Sequence, residues 1–73
     1  MERELYDSGC DKAAAGDYRG AIADFNRAIE INPNFADAYY RRGLAKFDLG
    51  NRQDAIEDYT QSLSINSNKT EVY

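Results

Sequence analysis

Histidine and tryptophan are absent from this 73-residue chain, and cysteine, proline and methionine each occur once. Without histidine, the lone Cys10 has no imidazole base to activate it, so a Cys/His nucleophile is excluded. A single thiol cannot close an internal disulfide, and no Cys/His cluster exists to hold zinc. Cys10 reads instead as a small apolar side chain in a tight spot between helices. Clustered positive charge is missing too. Nine Lys and Arg stand against 13 Asp and Glu, a net charge of −4, which argues against a nucleic-acid footprint and against adhesion to anionic lipid. No apolar run approaches the roughly 20 residues of a membrane span. No apolar segment follows the charged Met1-Glu2-Arg3-Glu4 start, so a secretory leader is not expected there. The expectation is a soluble, cytoplasmic protein with no cofactor and no metal. A chain this short buries only about 60% of its unfolded surface, so its core is marginal.

What is present is a repeat. Shifted by 34 residues, Tyr6 falls on Tyr40, Gly9 on Gly43, Lys12 on Lys46 and Gly16 on Gly50. Ala21-Ile22 fall on Ala55-Ile56, Asp24 on Asp58, Phe25 on Tyr59, Ile29 on Leu63 and Ile31-Asn32 on Ile65-Asn66. The first unit is 2–35 and the second is 36–69, while 70–73 begin a third in which Tyr73 falls on Tyr39.

Each unit reads as two helices. Ala38, Tyr39, Leu44, Ala45, Phe47 and Leu49 recur at mostly helical steps, without strand alternation. Gly50 ends that helix and Asn51 is placed to cap the next, whose stripe is Ala55, Ile56, Tyr59, Ser62 and Leu63. In the first unit Gly16 ends one helix and Asp17 caps the second, along which Ala21, Ile22, Phe25, Ala28 and Ile29 form the buried stripe. Pro33 cannot continue the preceding helix, and Asn34 is placed to cap the following one. Gly9 and Gly43 fall mid-helix, where glycine costs about 1 kcal/mol relative to alanine. A cost repeated in both units implies close approach of the partner helix, with Ala21 and Ala55 as the facing small residues and Phe25 and Tyr59 beside them. The carboxylates Asp7, Asp11, Asp24, Asp48, Asp54, Glu57 and Asp58 are dispersed at surface spacing, in no pattern that suggests a general acid. The glycines form no phosphate loop. An enzyme is not expected.

These residues resemble the tetratricopeptide repeat, whose pattern is W-x2-L-G-x2-Y, then A-x3-F, then P. The first unit offers Leu5, Ser8, Gly9, Lys12, Ala21, Phe25 and Pro33; the second offers Tyr39, Arg42, Gly43, Lys46, Ala55, Tyr59 and Ser67. Lys12 and Lys46 replace the family's tyrosine, and Ser67 stands where proline is expected. The resemblance implies an all-α fold of tandem antiparallel helix-turn-helix repeats, stacked as a right-handed α-solenoid fragment. The first helix of each unit then lines a concave groove that takes an extended peptide or a partner's helix.

On that arrangement the groove residues are Arg3, Tyr6, Asp7, Cys10, Ala13 and Ala14 in the first unit, and Asp37, Tyr40, Arg41, Leu44, Phe47 and Asp48 in the second, with Glu71 starting a third set. Tyr6 and Tyr40 are the foremost contact candidates, since tyrosine offers apolar area with a polar tip. The repeat also places Arg3 beside Asp37 and Asp7 beside Arg41, an alternating quartet that neutralises itself. A related subfamily grips a terminal carboxylate with Lys, Asn and Arg. Here the corresponding places hold Tyr6, Cys10, Arg41 and Glu71, which argues against that mode.

Solenoid units bury their cores against neighbours, so Ile56, Tyr59, Leu63 and Ile65 should leave an open apolar end. That end predicts homo-oligomer formation, by head-to-tail stacking or by exchange of helices. The leading functional expectation is a protein- or peptide-binding scaffold. The alternatives are a structural self-associating unit and a non-catalytic regulatory segment of a larger enzyme.

Overall fold

The computed structural model describes residues 1–70, with side chains described through Asn66. Its elements are four helices in sequence: α1 (Glu2–Ala14), α2 (Tyr18–Ile31), α3 (Ala36–Asp48) and α4 (Arg52–Thr70). No strand occurs among the described residues. α1 packs on α2 and α3 on α4 as two hairpins, and α3 docks on α2 to join them. The result is an all-α, two-hairpin solenoid.

The hairpin turns follow from glycine. Gly16 and Gly50 adopt φ of +89° and +93°, the left-handed conformation open to a residue without Cβ. In each, the glycine N–H bonds back to the carbonyl three residues earlier, Gly16 to Ala13 and Gly50 to Phe47. The next N–H reaches five back, Asp17 to Lys12 and Asn51 to Lys46, both at 2.8 Å. This paired closure satisfies carbonyls that the helix end leaves orphaned. Asp17 caps α2 as expected, accepting from the Gly20 N–H at 3.0 Å. Asn34 does not cap α3. Pro33 pushes Asn32 into an extended conformation, and the Asn32 side chain accepts from the Asn34 N–H, so the turn uses the amide and Phe35 becomes the N-terminal residue without a side-chain cap.

The second helices of the two hairpins end differently. α4 runs unbroken over position 67 to Thr70, whereas α2 stops at Ile31 ahead of Pro33. Ser67 keeps the N–H that proline lacks, so nothing there forbids the helix. Thr70, where a third unit is expected to start, is instead the last residue of α4, and the expectations for Glu71 and Tyr73 lie outside the described residues.

Small residues set the core. Ala21, Phe25, Ala28 and Ala38 are fully buried and cluster with Tyr6. A Cβ built on Gly9 would stand 2.6 Å from Phe25 Cε1, so the α2 ring itself fills the space over the glycine, more closely than Ala21 does. In the second hairpin the Tyr59 ring plays the same part at 2.8 Å, with the Ala55 carbonyl oxygen at 3.2 Å.

Candidate functional site

Between α1 and α3 lies a cleft of about 230 Å³, lined by Cys10, Ala13 and Ala14 from α1 and by Arg41, Leu44, Ala45 and Asp48 from α3. Phe25 and Tyr18 complete it from α2. Cys10, Arg41, Leu44 and Asp48 are groove residues expected from the sequence, and the fold brings them together because i, i+3, i+4 and i+7 positions share a helix face. The α2 contribution was not anticipated, although Phe25 belongs to the repeated aromatic position.

The remaining expected residues divide. Arg3 and Asp7 are exposed on α1 and form an i,i+4 ion pair at 3.7 Å. Phe47 is exposed on α3 and is not among the residues lining this cleft. Asp37 and Tyr40 line a second concavity of about 370 Å³ at the far end of the stack, with Tyr59, Ser62, Leu63 and Asn66. Tyr6 is buried, its ring 5.9 Å from Phe25 and 5.0 Å from Phe35. It forms part of the core instead of projecting from a groove wall. Tyr40 repeats the first of these contacts, 5.8 Å from Tyr59, but stays 48% exposed.

The alternating quartet does not form. Two guanidiniums converge on Tyr6 instead: Arg3 lies over its ring at 5.2 Å, and Arg41 Nε donates to its hydroxyl at 3.3 Å. Burial raises the Tyr6 hydroxyl above its ordinary pKa, partly countered by the Arg41 hydrogen bond. Arg41 is thereby drawn toward Tyr6, and among the described residues no carboxylate lies within ion-pair distance of it.

Two carboxylates expected at the surface are inside. Asp24 and Asp58 are 5% and 4% exposed. Asp24 accepts from the Ser8 hydroxyl at 2.7 Å and pairs with Lys12 at 3.0 Å. Asp58 receives a two-pronged contact from Arg42, at 2.9 and 2.7 Å, and pairs with Lys46 at 3.3 Å. The same carboxylate is thus held in each hairpin by residues i and i+4 of the facing helix, which is why burial is tolerated. The Ser8 hydrogen bond, with Lys12, holds Asp24 below the ordinary carboxylate pKa despite desolvation. The bond to Asp58 raises Arg42 further above its ordinary value. Arg42 also donates to Asn26 on α2 at 2.8 Å, tying the hairpins together. The lysines that depart from the repeat pattern are therefore internal ion-pair partners. The signal for this was in the sequence, as the parallel repetition of Lys12/Lys46 with Asp24/Asp58.

The expected open end is present in part: Ile65 is half-buried, less exposed than its first-unit counterpart Ile31. Ile56 and Leu63 are 55% and 66% exposed, while their first-unit counterparts Ile22 and Ile29 are half-buried, and Phe25 is fully buried where Tyr59 is half-buried. No helix among the described residues is long and apolar enough to cross a membrane.

Comparison with known proteins agrees with this geometry. A family profile described as TPR repeat matches residues 11–50, and one described as Tetratricopeptide repeat matches residues 36–69. An uncharacterised protein of Methanocaldococcus jannaschii is 40% identical over 40 residues, which is 55% of this chain and 46% of that protein. The crystal structure of MamA superposes with a TM-score of 0.93 and 27% identity, over 97% of this chain and 42% of that one. The chain thus spans less than half the length of either relative.

Proposed function

Because this chain belongs to the tetratricopeptide repeat family of protein-interaction scaffolds, we propose that the α1/α3 cleft binds an extended peptide or partner segment. Residues 2–35 and 36–69 act as its two repeat units. The observation that carries this reading is the lining of the cleft. Cys10, Ala13, Ala14 and Leu44 give it an apolar floor and wall, with Arg41 and Asp48 as the charged positions. Seven residues separate these two charges along α3, about 10 Å. A peptide with an apolar side chain on Leu44 and an acidic one near Arg41 matches this lining, and a basic one near Asp48 completes it. Arg41 suits the acidic contact because its present partner is a neutral phenol. Arg3 and Asp7 extend the polar rim along α1, and Phe47 adds exposed apolar area on α3.

Selection from a displayed peptide library tests this. Peptides enriched on the protein should be lost with Leu44→Glu and with Asp48→Lys, both checked for helicity by circular dichroism. Enrichment indifferent to both substitutions would place binding elsewhere.

A second reading, self-association through the far end, is supported by the exposed Ile56 and Leu63. The concavity bearing Asp37 and Tyr40 belongs to that surface.

A further inference from the structure

From the contacts of Arg41 we infer that an acidic side chain of the bound peptide docks end-on against this guanidinium, and that Tyr6 is the positioning residue that sets it there. This rests on the cleft-binding reading and specifies which atoms recognise the ligand.

Tyr6 is a fixed point. Its ring is buried, 5.9 Å from Phe25 and 5.0 Å from Phe35, so the core holds its hydroxyl oxygen in place. Arg41 Nε donates to that oxygen at 3.3 Å, from α3 across to α1. A guanidinium offers a carboxylate two edges: one pairs Nε with a terminal nitrogen, the other pairs both terminal nitrogens. Tyr6 takes up the first. The second, Nη1 with Nη2, has no hydrogen-bond or ion-pair partner among the described residues.

The neighbouring Arg42 shows the opposite use of the same side chain. It gives Nε and Nη2 to Asp58 and Nη1 to Asn26, so every nitrogen of its fork is engaged internally and its charge is matched. The phenol orients Arg41 without neutralising it. Arg3, over the same ring at 5.2 Å, is already paired with Asp7 at 3.7 Å. Among the described residues Arg41 is the one cation lining the cleft and Asp48 the one anion. Asp48 repels an acid at its own end, so the acidic group belongs at the Tyr6 end. The polar rim runs on past Arg41 to Arg3 and Asp7, which suits a side chain within a continuing peptide and not a terminal carboxylate.

Calorimetric titration tests this with a peptide selected from the displayed library, acetylated and amidated so that its ends carry no charge. The same peptide is also made with glutamine in place of its acidic residue. Tyr6→Phe keeps the ring and removes only the hydroxyl. It should weaken the acidic peptide about tenfold and leave the glutamine peptide within about twofold. Arg41→Lys keeps the charge without the fork and should weaken the acidic peptide by a similar factor. By NMR, the Arg41 Nε proton should exchange with water faster in free Tyr6→Phe than in the unaltered protein. Urea midpoints establish that both variants are folded. Equal losses for the two peptides in Tyr6→Phe mean that Tyr6 acts through packing. Undiminished binding by Arg41→Lys means that a point charge suffices. Either result, or an unchanged Nε proton, overturns the inference and leaves the cleft reading standing. So do selected peptides that lack an acidic residue yet are lost with Leu44→Glu. A free terminal carboxylate on the glutamine peptide should not restore its affinity, and full recovery overturns the side-chain assignment. Peptides indifferent to both Leu44→Glu and Asp48→Lys overturn the cleft reading itself.

Discussion

Gly9 of α1 lies directly beneath the ring of Phe25 on α2, with room for no additional carbon: a Cβ there would stand 2.6 Å from Cε1 of a ring that is itself fully buried. Gly9→Ala gains up to about 1 kcal/mol of helix propensity, but overpacking against a fixed ring costs about 1–3 kcal/mol. The net expectation is a lower urea midpoint. Gly43→Ala meets the Tyr59 ring, which is half-buried and free to give, and the Ala55 carbonyl oxygen, which is not. It should be destabilising by less than Gly9→Ala. Equal or raised midpoints in both variants would show that the helices are not held at this distance.

The internal carboxylates should differ in importance. Removing charge by Asp58→Asn leaves Arg42 and Lys46, whose side chains are only 18% and 20% exposed, without their counter-ion. A loss of about 3–5 kcal/mol is expected for such stranded charge. Asp24→Asn strands only Lys12, which is 43% exposed and can turn to water. It should cost less, about 1–3 kcal/mol. Chemical denaturation of the two variants side by side measures the order.

Stability should depend on pH in a defined direction. The folded-state pKa of Asp24 is lowered from its ordinary 3.8, so its contribution is fully present above that value. It is lost as pH falls from there through the folded pKa. Ser8→Ala, which removes the largest cause of the shift, should flatten the acid limb of a urea-midpoint profile. With no histidine in the sequence, the profile between about pH 5 and 8 should be nearly level. An unchanged acid limb in Ser8→Ala would contradict the assignment.

The hairpin turns provide an independent check. Gly16→Ala and Gly50→Ala force a Cβ into positive φ and should each cost about 1–2 kcal/mol. The turns are in separate hairpins, so the double variant should show roughly the sum.

Much of the fold was legible because its signals are local or repeat. Gly16 and Gly50 mark left-handed turns wherever they occur, and Gly9 and Gly43 announce close approach because glycine mid-helix is otherwise unfavourable. The exposure of Ile56 and Leu63 followed from the same reasoning, since their repeat counterparts Ile22 and Ile29 are half-buried. The candidate site was only half legible. Tyr6 and Tyr40 occupy one repeat position, yet Phe35, the last residue of the first unit, packs on Tyr6, while Tyr40 stays exposed. Sequence position alone does not say which neighbour will arrive. The arginine–aspartate quartet failed for a similar reason: Arg41 reaches a phenol on the adjacent helix, a partner that charge spacing does not weigh. Hydrophobic periodicity assigns every carboxylate to the outside, so it does not mark Asp24 and Asp58 as internal. Their donors sit 16 residues away in sequence, on the facing helix.

Peptide binding at the α1/α3 cleft, as proposed, can be read residue by residue. The most direct measurement is a titration of isotopically labelled protein with a selected peptide, following backbone amide shifts by NMR. The largest changes should cluster at Cys10, Ala13, Arg41, Leu44 and Asp48, with Ile56 and Leu63 little affected. Shifts confined to α4, or scattered over the outer faces of α2 and α4, would contradict it.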